Sequence, residues 1–326
     1  MTVESLRFAD GEVETVEDFQ SARVGSGTVW VRASDATPLE LERVAEAFDI
    51  HHLSIEDIRN EIRPKTEEFA GYTFVLLKTV ELARGETTFE EETRVKPVGV
   101  FVGEDWLVTL SEYDIDAVSR IWRAALDGDR RIVGRGPDFT AYRVCDGIVD
   151  GYFAALDQIE EQIEAVEEAV ISDTSIETLE SINGVRRELL AFRKLAWPTR
   201  EAVGYLARGD PEEVRPETEK YFRDVYDHLV QLVDLTETYR DLAGGARDIY
   251  LNMLSVSTNE VMKKLTVVAT IVLPLTLVVG VYGMNFQDGP FNMPELGWTY
   301  GYPAVMLGMF LMSAILVVYF RKAGWL

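Results

Sequence analysis

At 326 residues the chain has room for two domains of ordinary size, and 56 acidic against 32 basic residues give it a formal charge of -24. That charge argues against nucleic acid as a partner, since binding it needs cationic patches that neutralise phosphate. Eight lysines stand against 24 arginines, and acids are scattered through every segment. This composition suits a surface kept hydrated in high salt, where screening over ~3 Å at molar ionic strength removes self-repulsion.

The N-terminal stretch MTVESLRFADGEVETVEDF is acidic and lacks a basic region ahead of an apolar core, so it is read as no secretory signal. Segments 27–33, 72–83 and 94–110 are rich in β-branched and aromatic residues with turn breaks between them, and read as strands. Segments 40–48 and 54–60 have helical spacing, with Ser54 the expected N-cap of the second. Together they predict a compact α/β domain over residues 1–113. It carries no Gly-rich phosphate loop, nucleophile elbow or Cys/His cluster, so nothing in it supports an enzyme. Of the three histidines, His51, His52 and His228, the first two are expected to be solvated or structural. Cys145 stands alone, which rules out an intramolecular disulfide and fits a reducing, cytosolic location for the bulk of the chain.

From Asp114 onward the pattern becomes helical. Segments 140–171 and 175–206 alternate apolar stripes with acidic faces, within a helical domain expected over 114–216. After a break at Gly209-Asp210-Pro211 the helical pattern runs from Glu217 to Tyr282, with weak points at Gly244-Gly245, Pro274 and Gly280. Unbroken, these 65 or so residues would span roughly 100 Å at 1.5 Å per residue, long enough for a membrane helix that continues as a stalk. The expected division is stalk 217–264, first span 265–282, external loop 283–302, second span 303–320 and basic tail 321–326.

Both spans are eighteen residues without a charge, and a bilayer core of ~30 Å needs about 17–25. Lys263 and Lys264 precede the first span, and Arg321 and Lys322 follow the second. The loop between them carries only Asp288 and Glu295. By the positive-inside rule both termini are cytoplasmic and the loop is external. Two spans cannot enclose a polar path within one chain, so any conduction requires several copies around an axis. Along the long helix Asp248, Ser255, Asn259, Met262, Thr266, Ala269, Leu273, Thr276 and Gly280 follow heptad spacing. Coiled-coil packing and a pore lining both predict it.

The stretch TNEVMKKLTVVATIVLPLTLVVGVYGMNF (258–286) resembles the CorA family of divalent-metal, chiefly magnesium, transport proteins. Its Tyr-Gly-Met-Asn ending carries the resemblance most specifically. MPELGW (293–298), VVYFRKAGWL at the end, EDIRNEIRPKTEEF (56–69) and YFRDVYDHL (221–229) are similar to other parts of the family. The likeness covers nearly the whole chain and is weakest in the first fifty residues. QDGPFN (287–292) departs from it, the family's loop often being shorter.

The resemblance implies an α+β membrane protein assembled as a homopentameric funnel. Each subunit would have an N-terminal cytoplasmic α/β domain, a long helical stalk and two C-terminal transmembrane helices. It implies Gly283, Met284 and Asn285 as the external selectivity ring, with the Asn285 carbonyl oxygens facing the entering ion. Asn259, Met262, Leu265, Leu273 and Thr276 would line the pore, the apolar ones as a hydrophobic constriction, and Asp248 would ring its cytoplasmic mouth. Asp57 of one subunit and Asp224 of its neighbour would hold a regulatory Mg2+, with Glu56 and His228 close by. Glu295 and Asp288 would concentrate cations outside.

The chemistry agrees with these assignments. Magnesium binds oxygen at about 2.0–2.1 Å and dehydrates reluctantly, and neutral amide oxygens can hold a hydrated ion without trapping it. The expected cargo is Mg2+, with Co2+ second. The expected partners are further copies of the chain, membrane lipid and divalent cations. Alternatives are a cobalt/nickel or zinc transporter of the same superfamily and a two-span receptor or scaffold. Zinc favours nitrogen and sulfur, which the path scarcely offers, and a receptor leaves the amide loop unexplained.

Overall fold

The computed structural model describes residues 2–9, 12–16, 19, 27–60, 62–83, 92–284 and 293–325. The chain divides into two compact units, Met1–Arg247 and Asp248–Leu326.

The first unit is built on one seven-stranded sheet. Its strands are β1 (Val3–Ala9), β2 (Glu12–Thr15), β3 (Thr28–Ala33), β4 (Lys65–Phe69), β5 (Tyr72–Ala83), β6 (Glu92–Gly103) and β7 (Trp106–Leu110). They lie in the order β2-β1-β3-β7-β6-β5-β4. Only β3 and β7 run parallel; the other neighbours are antiparallel. The β5–β6 hairpin is the longest pairing, in register from Tyr72↔Gly103 to Ala83↔Glu92. Phe74, Val75, Leu76 and Leu77 are all buried. Such continuous burial, rather than alternation, marks a strand covered on both faces.

Helices α1 (Pro38–Phe48) and α2 (His52–Arg59) cover one face. Leu41, Val44 and Phe48 of α1 and Ile55 and Ile58 of α2 close a core with Val31, Phe74, Leu76, Phe101 and Trp106. Thr37 and Glu40 form a capping box that starts α1, with Pro38 preset for its first turn. The expected N-cap of α2 is corrected. Ser54 lies buried inside the helix, and His51 caps it, its Nδ1 accepting from the Leu53 amide at 3.3 Å. His51 has the extended backbone that a cap requires, and it leaves the ring nitrogen facing the first free amides. Its ring also stacks on Phe69, so the role is structural. α2 lies tight on β6 at Gly99, where an added Cβ would sit 2.4 Å from Ile58 Cδ1.

The opposite face is covered by α3 (Asp116–Leu126), α5 (Pro137–Ser172) and α6 (Ile176–Ala207), with the short α4 (Arg130–Val133) leading into α5. The Trp122 ring of α3 meets Trp30 of β3 edge-on at 4.8 Å. Tyr152 of α5 donates to the Lys78 carbonyl of β5 at 2.5 Å and lies 3.2 Å from Thr199 Oγ1 of α6. One hydroxyl thus ties two helices to the sheet. The helix α7 (Pro216–Gly283) follows, 68 residues without interruption through Gly244, Gly245, Pro274 and Gly280. At its start the buried Asp138 carboxylate of α5 accepts from the Arg215 amide at 3.1 Å and from the Arg215 guanidinium. Removing either partner would leave the other uncompensated.

The second unit holds residues 248–283 of α7, a 3-10 turn (Pro294–Gly297) and α8 (Gly301–Lys322). Among the described residues, two helices, α7 and α8, are long and apolar enough to cross a membrane. Among their described residues in this unit, Tyr250, Val267, Gly301 and Phe320 are buried.

Candidate ion path and metal centre

Because α7 is continuous from Asp248 to Gly283, the three- and four-residue steps of its stripe stay on one face. Asp248, Asn259, Met262, Leu265, Leu273 and Thr276 are all exposed. Neighbours such as Val268, Leu277 and Val279 are equally exposed, so spacing, rather than exposure within one chain, selects the face. The stripe is polar from Asp248 to Asn259 and mixes oxygen-bearing and apolar side chains from Met262 to Thr276.

The threonines add a polarity that sequence alone does not show. Thr266 Oγ1 donates to the Met262 carbonyl at 2.8 Å, Thr270 to Thr266 at 2.8 Å and Thr276 to Val272 at 3.0 Å. With the proton engaged by the preceding turn, each hydroxyl turns lone pairs outward. Pro274 contributes as well, since its missing N–H deprives the Thr270 carbonyl of its usual intrahelical donor.

At the end of α7, Gly283 is the last helical residue, and the Met284 amide donates to the Val281 carbonyl at 3.2 Å. Met284 is exposed. Asn285 and Asp288 lie outside the described residues, as does the side chain of Glu295, whose backbone belongs to the 3-10 turn.

The expected regulatory residues fall into two pairs. Glu56 and Asp57 sit on α2, and Asp224 and His228 sit on α7. Among the described residues no three His, Cys, Asp or Glu side chains converge as a ligand set within the chain. Each pair nevertheless has a distinctive setting. Asp57 Oδ2 lies 2.6 Å from Lys65 Nζ, which also lies 2.6 Å from Glu67 Oε1. Partial burial pulls the Lys65 ammonium down, but the hydrogen bonds to Asp57 and Glu67 outweigh it and raise its pKa. On α7, Asp224 is exposed. His228 Nδ1 is buried with no hydrogen-bond partner among the described residues, and the ring meets Phe153 edge-on.

Two residues of this neighbourhood escape a reading of the sequence. Asp146 of α5 is half-buried, and its carboxyl is raised by that burial and by Asp150 and Asp224, against the pull of Arg143 and His228. Arg143 pairs with it at 3.3 Å. Asp150 and Asp224 thus lie near enough to Asp146 for their charges to act on it. The available signal was Asp146 and Asp150 four apart in an otherwise apolar stretch. The second residue is Lys65, whose signal was the rare choice of lysine in an arginine-rich chain. Cys145 takes no part, being buried with its thiol pushed up to about 12.

The family model described as CorA-like Mg2+ transporter protein matches residues 25–322. The chain belongs to this family. It is 37% identical to the cobalt/magnesium transport protein CorA of Thermotoga maritima, over 100% of this chain and 90% of the relative. It is 31% identical to the putative metal ion transporter YfjQ of Bacillus subtilis, over 91% of this chain and 89% of that protein. The complete structure of the CorA magnesium transporter from Methanocaldococcus jannaschii superposes with a TM-score of 0.83 at 24% identity. That match covers 100% of this chain and 99% of the other. At that identity it establishes a CorA fold across both units, each taken by itself.

Proposed function

We propose that this CorA-family chain assembles as a homopentamer into a channel that carries divalent cations, chiefly Mg2+ and secondarily Co2+, into the cell. The observation that carries this reading is the continuous helix α7 in a CorA-family chain. It presents oxygen donors and apolar rings at heptad spacing and ends at Gly283, where the sequence continues Met284-Asn285. Heptad spacing directs the stripe toward an axis shared with copies of itself, and only several copies can enclose a polar path. The charge asymmetry of Lys263, Lys264, Arg321 and Lys322 against a loop that carries only Asp288 and Glu295 supports cytoplasmic termini in the cell membrane.

In this reading a hydrated cation first meets the Asn285 amides, concentrated there by Glu295 and Asp288. The hydroxyl of Thr276 and the amide of Asn259 supply neutral oxygen along the path. Met262, Leu265 and Leu273 form constrictions that close by dewetting, and Asp248 draws the ion toward the cytoplasm. No enzymatic step is part of the mechanism.

Regulation uses the two pairs described above. Asp57, with Glu56, would face Asp224, with His228, across a subunit boundary. Their oxygen-rich donor set suits magnesium. Without metal the carboxylates repel; a divalent cation between them reverses the sign and holds the subunits together. High internal magnesium thereby closes the channel.

Uptake of Mg2+, Co2+ and Zn2+ into vesicles containing the full-length protein tests the reading. Wild type takes up Mg2+ and Co2+ while Asn285→Ala falls to background. Absence of wild-type flux under an inward gradient would overturn the channel and favour a non-transporting receptor, and preferred zinc flux would reassign the cargo. Asp224→Lys should mimic bound metal and keep the channel closed; full magnesium-sensitivity in that variant would remove Asp224 from the sensor.

A further inference from the structure

Asp57 is not a bare carboxylate awaiting a metal. Eight residues further on, at the first position of β4, Lys65 reaches back to it at 2.6 Å and at the same time holds Glu67 at 2.6 Å. The ammonium therefore sits in a fork between two carboxylates. The side chains of Lys65 and Asp57 keep 26% and 20% of their exposure, whereas Glu67 keeps 43%. The contact with Asp57 is the more sheltered arm of the fork, and the arm toward Glu67 opens to water.

A divalent cation cannot simply join this arrangement. Magnesium takes a carboxylate oxygen at about 2.0–2.1 Å, and an ammonium already within hydrogen-bond distance of Asp57 would repel it. The lysine has somewhere to go, however. It is a point charge on a flexible stem, with three donors and no fixed plane, and Glu67 remains in reach when Asp57 is taken. An arginine would be worse suited, because its planar fork grips a carboxylate bidentately and releases it less readily. In a chain with 24 arginines and eight lysines, lysine stands at the position where release matters.

Resting on the reading of Asp57 as a regulatory ligand, we propose that Lys65 is a tethered competitor for the sensor cation. It occupies Asp57 when internal magnesium is low and shifts toward Glu67 when the metal binds. Two consequences follow from this geometry. The empty sensor carries less repulsion at the subunit boundary than its carboxylates alone would produce. The affinity of the sensor is also lowered by the factor needed to displace the ammonium, which places the closing threshold at a higher magnesium concentration. Glu67 acts as the second seat of the switch, and its strength sets how easily Lys65 leaves.

The test uses the full-length protein in lipid vesicles, with MgCl2 titrated against two readouts: the unfolding temperature and the inhibition of uptake. Lys65→Met should lower the half-saturating magnesium concentration about three- to tenfold, the range expected for losing one partly sheltered ion pair. Glu67→Gln leaves the ammonium with Asp57 alone and should raise it. Arg59, also on α2, has its ion pair with Glu112 at 3.5 Å. Arg59→Gln thus removes the same charge nearby without touching Asp57, and should shift the midpoint within about twofold.

A Lys65→Met midpoint that is unchanged, raised or no lower than that of Arg59→Gln would overturn the competitor. If Lys65→Met does not fold, the absence of a rise in Glu67→Gln does the same. Asp57→Asn separates the two readings. Should it keep the full magnesium response, Asp57 is no sensor ligand and the underlying reading fails. Should it lose that response while Lys65→Met fails to shift, the competitor alone fails.

Discussion

The leucines of the first unit's core and those of the first apolar span are opposites. Before residue 248, Leu6, Leu41, Leu76 and Leu107 are fully buried; after it, Leu265, Leu273 and Leu277 keep 65–69% of their surface exposed. The sheet core of the first unit is closed within one chain, sheet against helices on both faces. The second leaves its apolar surface exposed, to be covered in the proposed assembly by lipid and by other copies. Stability of the first is therefore intramolecular, at ~25 cal/mol per Å2 of apolar surface removed from water, while that of the second depends on its surroundings. A change in the core should act on folding in the first unit, and a change along the stripe on conduction in the second.

The sharpest way to break this contrast is Phe74→Ala. Phe74 is buried under α1 and α2 and stacks on Phe101 at 4.7 Å, so its loss should destabilise the first unit by about 3–5 kcal/mol. Thermal unfolding monitored by near-UV and far-UV circular dichroism in vesicles should show tertiary structure lost early while the spans stay helical. Simultaneous loss of both signals would mean that the two units do not fold separately.

Gly99→Ala is a smaller perturbation with a more specific reach. Its methyl would displace the Ile58 side chain, which packs the helix carrying Asp57 on β6, at about 1–3 kcal/mol. Lower unfolding temperature should come with weaker magnesium inhibition of uptake, whereas Asn285→Ala should alter uptake alone.

Thr37→Ala removes the α1 cap and should cost about 1 kcal/mol in chemical denaturation, with uptake unchanged. The smallest effect belongs to Asp146. Its pKa is raised in the folded state, so the ionised form is the less favoured one. Stability is then fuller at low pH and declines as pH climbs from the ordinary carboxylate range through the raised value. Asp146→Asn should flatten that part of the profile and raise the unfolding temperature at neutral pH in chelator; an unchanged pH profile would contradict the assignment.

What could be read from sequence follows the same division. β5 was legible to the residue because an apolar, β-branched run is its own signal. β1 and β2 were not, as VESLRFA and EVET mix charges into short segments whose pairing comes from the rest of the sheet. β4, KTEEF, has three charges in five residues and becomes a strand only by pairing with β5 along one edge. α7 overrode Gly244, Gly245, Gly280 and Pro274, since intrinsic propensity is a weak bias within a long element. In the candidate path the spacing was visible and the direction of the threonine hydroxyls was not. The Lys65–Asp57 contact was hidden because it depends on how the chain turns between α2 and β4.

The threonine hydrogen bonds have one more implication. If Thr276 faces the ion path, its proton is already committed to Val272 and is not offered to a passing ion. The surface it shows is an oxygen without a free hydrogen, attractive to a cation and indifferent or hostile to an anion. Chloride would find no donor there to replace its lost water. The sign of the permeating ion would then be decided partly by uncharged residues, through which way a hydroxyl points.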